Sequence, residues 1–249
     1  MIIIKNNKEI DLMRSAGKIV AETLLLIEEK VRPGITTAEL DRIAEEFITK
    51  HGARPSFKGL YGFPASLCIS VNEQVVHGIP GGYVLKDGDI VSVDCGANIN
   101  GFHGDAARTF GVGNITKEAE RLINVTEESF FKGIEYAKVG NRLTDISHEI
   151  QNCVEAAGFS VVRDFVGHGI GRVVHEDPDI PNYGRPGRGP KLVEGMALAI
   201  EPMVNVGNYK VKTLSNDWTV VTSDGSLSAH YENTIVILPD GPEILTLIR

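Results

Sequence analysis

The chain has 249 residues, 42% of them apolar, and a formal net charge of −8. That is enough for one large domain or two fused halves, and the acidic balance argues against a nucleic-acid or anionic-membrane footprint. Three scattered cysteines, Cys68, Cys95 and Cys153, make no Cys-x-x-Cys and no disulfide framework, which fits a reducing compartment.

Met1-Ile2-Ile3-Ile4-Lys5 is too short for the apolar core of a signal peptide. No run approaches the ~20 apolar residues of a membrane span, so a soluble cytoplasmic globule is expected. From Lys8 to Val31, apolar residues fall at Ile10, Met13, Gly17, Val20, Leu24, Ile27 and Val31. That alternating three-four spacing predicts a long helix with one buried face. Arg32-Pro33-Gly34 stops it. Thr36-x-x-Glu39 is a capping box opening a second helix, with Leu40, Ile43, Phe47 and Ile48 inward and Gly52 at its end. Pro55 to Pro64 is loop by composition, Ala65 to Val76 has strand character, and His77 to Gly82 is loop again.

Asp89 to Thr109 follows. Ile90, Val91 and Val93 predict a strand buried on both faces. Asn100-Gly101 predicts a type I′ hairpin turn, because both of its central residues need φ > 0. That register sets Asp94 opposite Ala107, with Asp105 as a diagonal neighbour about 7–8 Å away on the same face. Buried carboxylates cost several kcal/mol unless paired or bound to metal. No Lys is near and Arg108 points to the other face, so a metal is the leading reading. Two exposed hairpin aspartates are the plainer alternative.

The pattern then recurs. Thr116 to Lys138 predicts a long helix with Leu122, Ile123, Phe130 and Ile134 inward, and a shorter helix lies between Gly140 and Gly158. Gly34/Gly140, Gly52/Gly158, Leu40/Ile146 and Ile48/Val154 share one offset. Asp87-Gly88 through Asp94 matches Glu194-Gly195 through Glu201 one residue further on: acid, Gly, five strand residues, acid. An internal duplication is expected, with halves of about 1–112 and 113–249. Two copies about a pseudo-twofold axis would bring Asp94 and Glu201 to one centre.

Three more candidates extend the set. Gly167-His168-Gly169-Ile170-Gly171 puts an imidazole where glycines permit close backbone approach, though a surface loop would read alike. Glu201-Pro202 ends a strand, since Pro cannot extend a central ladder. Glu232 lies near the start of the strand-like run from Ala229 to Leu238; edge-strand solvation is its alternative. Asp94, Asp105, His168, Glu201 and Glu232 are too hard a set for structural zinc and too many for one open catalytic ion. They suit two ions roughly 3.5–4 Å apart that hold a hydroxide and clamp a tetrahedral intermediate.

The order Asp, Asp, His, Glu, Glu stands within Val-Asp-x-Gly, Gly-Asp-Ala-Ala, Gly-His-Gly-Ile-Gly, Ile-Glu-Pro-Met and Tyr-Glu-Asn-Thr. With these strings the chain resembles the methionine aminopeptidases of the bacterial type I class, from its first helix to its C-terminus. The resemblance implies an α+β "pita-bread" fold, a single catalytic domain over 1–249. Its two pseudo-twofold related halves would form a curved antiparallel sheet with outer helices.

It also implies two divalent ions (Co, Mn, Fe or Zn), with Asp94 on the first, His168 and Glu201 on the second, and Asp105 and Glu232 bridging. The implied reaction is removal of the N-terminal methionine from nascent proteins and peptides, with a small second residue preferred. The hydroxide between the metals would attack the first peptide bond, the free α-amine would bind one metal, and Glu201 would shuttle the proton.

His77 and His175 take substrate-contacting roles by resemblance; from their own surroundings both read equally as solvated loop histidines. Phe63, Cys68 and Trp218 match the methionine slot, and a thiol, a ring and an indole suit a thioether. Phe57 and Leu60 stand where relatives often carry a thiol and a tyrosine. His51, His103, His148 and His230 are expected to be structural or solvated. A monomer is expected, with no nucleic-acid or membrane partner and room for a transient ribosome contact.

Three rival readings stand beside this one. A prolidase on the same fold would use the same five ligands, usually behind an extra N-terminal domain. His103-Gly104-Asp105 with His168 or His230 could form an iron-oxygenase triad, but two long helices per half disfavour the jelly roll it needs. A peptide-binding module would be expected to have lost a ligand, and none is missing.

Overall fold

The computed structural model describes residues 1–248, an α+β arrangement of four α-helices and strands paired only antiparallel. Helix α1 (Asn7–Lys30) begins at Asn6, whose side chain accepts from Glu9 N while Glu9 accepts from Asn6 N. Its predicted inner face is buried: Ile10, Met13, Gly17, Val20, Leu24 and Ile27. Helix α2 (Thr37–Lys50) opens on the predicted Thr36/Glu39 capping box. Both helices lie over the Ile90–Ile99/Phe102–Gly111 hairpin, where Val20, Leu24, Leu40, Ile48, Val91 and Val93 share one core. Asn100 (φ 54°) and Gly101 (φ 78°) both take the left-handed conformation, and Asp94 pairs with Ala107 as read from the sequence.

Two expected elements differ. Ala65–Val76 is not one strand but two, Leu67–Val71 and Gln74–Val76. Asn72 turns the chain between them at φ 55°, its side chain bonded to Asp89 and to Ile90 N. Asn tolerates that conformation, so a residue inside an apolar run can reverse it. Helix α3 (Lys117–Ile134) stops four residues before Lys138, because Tyr136 N and Ala137 N bond back three residues to Gly133 and Ile134 and tighten the turn. Helix α4 (Leu143–Ala156) completes the second pair, which packs Phe130, Ile146 and Ile150 against Leu198, Ile200 and Ile235.

The later strands form a five-stranded sheet in the order Gly241–Ile244, Asn233–Leu238, Ala197–Ile200, Gly167–Gly169, Glu176–Ile180. The expected strand over Ala229–Leu238 is broken. Asn233–Leu238 pairs with Ala197–Ile200, while Ser228–His230 pairs with Met203–Asn205 in another sheet. The break in one chain, Tyr231-Glu232, faces the break in its partner, Glu201-Pro202, and Tyr231 N donates to Pro202 O. Pro202 has no N–H to continue the ladder, so the two-stranded ribbon bends there and turns two carboxylates out at the bend.

The hairpin locks onto this ribbon. Ala107 and Glu232 exchange backbone hydrogen bonds, and Thr234 Oγ1 both accepts from Asp105 N and donates to Asp105 O. Asp105 and Glu232, far apart in sequence, are thereby neighbours.

Candidate metal centre

All five acids and imidazoles read from the sequence converge. They line one cavity of about 510 Å³ together with His77, His175, Phe63, Cys68 and Trp218. Asp94 and Asp105 come from the two strands of the hairpin, and Glu201 and Glu232 from the bent ribbon. His168 comes from a short strand held between two others. A Cβ at Gly167 would meet the Ala199 carbonyl, and one at Gly169 the Asp177 carbonyl. The flanking glycines therefore let both neighbours close in on the histidine.

Within the cluster, Asp105, His168 and Glu232 offer ligand atoms all within 4.8 Å of one another, and so do Asp94, His230 and Glu232. Glu232 belongs to both groups. His168 Nε2 is 3.5 Å from Glu201 Oε1, while His168 Nδ1 lies 2.9 Å from the Gly169 carbonyl. Donation from Nδ1–H to that carbonyl leaves the Nε2 lone pair facing the acids, as a metal ligand requires.

Buried acids are normally paired, and these are not. Among the described residues, Asp94 Oδ1, Asp105 Oδ1, Glu232 Oε1 and His230 Nε2 are buried with no hydrogen-bond partner. No Lys or Arg of the described residues forms an ion pair with the four acids. Arg108, close in sequence, spends its guanidinium on the Ala107 and Glu232 carbonyl oxygens and on Asn233.

The electrostatics follow. Burial pushes Asp94 up to about 7. Asp105 is held well above the carboxylate range by burial and then by the charges of Asp94 and Glu201, and Glu232 by burial and then by the charges of Asp105, Glu201 and Asp94. Glu201 is raised by burial and by Asp94. The imidazoles move oppositely: burial brings His77 and His168, each also beside His175, down to about 4. A cavity floor that strains to stay protonated is built for added positive charge, and oxygen-rich ligands with one or two imidazoles suit divalent transition ions.

Above the acids the cavity changes character. His175 sits edge-on to His168 with ring centroids 4.5 Å apart, and Tyr61 stacks beside His175 at 5.9 Å. His77, at φ 58°, meets Phe165 edge-on at 5.6 Å. Phe63 and Trp218 form an edge-to-face pair at 5.1 Å next to buried Cys68, with Phe57 and Leu60 in the same apolar cluster.

His230, expected to be structural or solvated, lines the cavity at 2% exposure, with Nε2 3.7 Å from Glu201 Oε2. Its place two residues before Glu232 was the available signal, since residues i and i+2 of a strand share a face. The bend at Tyr231-Glu232 hid it.

A family model described as metallopeptidase family M24 matches residues 11–239. A methionine aminopeptidase of Clostridium perfringens (strain 13 / Type A) is 79% identical over 249 residues, covering 100% of each chain. The crystal structure of methionine aminopeptidase from Thermotoga maritima superposes with a TM-score of 0.98 at 49% identity, again over 100% of each chain. The prolidase from Pyrococcus furiosus, at 23% identity and a TM-score of 0.82, shares the fold; the match covers 99% of this chain and 66% of that one.

Proposed function

The chain belongs to metallopeptidase family M24 and has that family's pita-bread fold, and on this footing we propose that it removes the N-terminal methionine from peptides and nascent proteins. The observation that carries the proposal is the meeting of four acids, three of them with a buried oxygen that has no hydrogen-bond partner, and His168 beneath an aromatic and thiol pocket. The five residues would hold two divalent ions, Asp94 on one, His168 and Glu201 on the other, with Asp105 and Glu232 shared. When bound, such ions supply Lewis-acid polarisation of the scissile carbonyl and lower the pKa of water.

The chain's own groups do the rest. Phe63 and Trp218 present ring edges, and Cys68 a polarisable sulfur, to the methionine thioether. The Glu201 carboxylate, raised by burial, takes a proton from the attacking water and returns it to the leaving amine. His175, at the mouth beside His168, donates to the developing oxyanion, and His77 donates to the substrate backbone.

We read the chain as one catalytic domain of two related halves, about 1–112 and 113–249, acting as a monomer in the cytoplasm. The free cysteines suit that compartment, and no helix among the described residues is long and apolar enough to cross a membrane. A peptide panel tests the activity. Met-Ala-x peptides should be cleaved and x-Pro peptides spared, with cleavage lost on chelation and restored by Mn²⁺ or Co²⁺. Cleavage of x-Pro in preference to Met-Ala would replace the reading with a prolidase.

A further inference from the structure

We propose that His230 is a sixth metal ligand, supplying an imidazole nitrogen to the ion held by Asp94 and Glu232. The inference rests on the dinuclear reading above and adds a donor to it. His230 is 2% exposed, and its Nε2 is buried with no hydrogen-bond partner among the described residues. A buried ring nitrogen left without a partner is unfavourable, so something must face it.

Two carboxylate oxygens are close, but neither is that partner. Nε2 stands 3.7 Å from Glu201 Oε2 and 3.8 Å from Glu232 Oε2, beyond hydrogen-bond range. The 3.8 Å to Glu232 is a separation that donors sharing an ion have, whereas Glu201 belongs to the other ion; the choice of ion rests on the close grouping of His230 with Asp94 and Glu232. Two ligand atoms each about 2.0–2.2 Å from one metal stand roughly 3–4 Å apart.

Five of the six side chains also fall into two triads, with Glu201 in neither. Asp105, His168 and Glu232 form one triad of mutually close donors; Asp94, His230 and Glu232 form the other. Each contains one imidazole, and Glu232 joins them. The backbone holds His230 in place, because Thr109 Oγ1 accepts from His230 N and donates to His230 O, each at 2.9 Å. Thr109 is itself fixed by Ser92 at 2.8 Å. These bonds fix the main chain from which the imidazole projects.

A nitrogen donor at the Asp94 position strengthens binding of first-row transition ions over an all-oxygen site. The test uses the stripped full chain, Zn²⁺ and Mn²⁺ as probes, and His230→Phe, which keeps a ring of similar shape without nitrogen. Calorimetric titration with Mn²⁺ should show two equivalents in the wild type, and in His230→Phe a second equivalent weakened at least tenfold with the first unchanged. X-ray absorption of the wild type with two equivalents of Zn²⁺ should count one imidazole per ion on average. That measurement needs no variant, so misfolding of His230→Phe would not leave the question open. One imidazole per two ions in the wild type, or unchanged second-ion affinity in a folded His230→Phe, overturns the assignment and leaves the dinuclear reading standing. Fewer than two equivalents in the wild type overturns both.

Discussion

Replacing Asp105 with Asn should stabilise the metal-free chain and destabilise the metal-loaded one. Asp105 is 3% exposed, and its ligand atom lies within 4.8 Å of that of Glu232. Two unit charges at that distance repel by about 3 kcal/mol at an effective dielectric constant near 20. Partial protonation already relieves part of this, so the gain on removing one charge is about 1–3 kcal/mol. In a chain of this size each kcal/mol moves the midpoint by roughly 2–4 °C. In EDTA at pH 8, Asp105→Asn should therefore unfold about 2–12 °C above the wild type. In excess Mn²⁺ the order should invert, because an amide oxygen replaces a bridging anion and the ion's contribution to stability shrinks. Hydrolysis should fall by at least about a hundredfold, since even the partners of metal ligands are worth 10–100-fold. Thermal unfolding of both proteins in the two buffers is the assay. A lower midpoint for Asp105→Asn in EDTA would mean that the acids are not in mutual repulsion.

Glu201→Gln should keep the fold and lose turnover by at least about 10²-fold, the worth of a positioned general base; near-normal turnover by peptide assay would remove Glu201 from the mechanism. Raising the pH from 6.5 to 8.5 should destabilise the metal-free chain. In that window the folded acids retain protons that the unfolded chain has released, at roughly 1–1.5 kcal/mol per pH unit for each retained proton. Below pH 6.5 the trend is opposed, because His77 and His168, with folded values of about 4, lose stability as the unfolded imidazoles protonate. Denaturation series in EDTA check the sign, and a midpoint that rises from pH 6.5 to 8.5 would contradict it. Trp218→Ala should lower kcat/KM for Met-Ala peptides by about 10–200-fold, the worth of a hydrophobic pocket contact, and leave metal affinity unchanged. A parallel loss of metal binding would mean that the indole supports the centre and not the slot.

The parts of the site that are legible in sequence are those set by local rules. Asn100-Gly101 dictates the hairpin turn, and the turn dictates the Asp94/Ala107 register, so two carboxylates on one face could be read without coordinates. The capping box at Thr36/Glu39 fixes where the second helix begins. The bend that presents Glu201 and Glu232 is different in kind. It depends on Pro202 in one strand facing Tyr231 in another, a long-range pairing that no local pattern encodes. A continuous apolar run from Ile235 to Leu238 masked the break just before it. The same break conceals His230, whose neighbours Glu201 and Thr109 lie far off along the chain. Asn72 is the smaller case, a turn residue inside an apolar stretch whose reversal needs Asp89 and Ile90 to hold it.

Asp94, Asp105, His168, Glu201 and Glu232 are proposed to grip two divalent ions at one point. Anomalous diffraction from crystals soaked in Mn²⁺ tests it most directly. Two manganese peaks a few ångströms apart, both within coordination distance of these side chains, are the predicted result. A single peak there, or manganese bound elsewhere with this cluster empty, would contradict it.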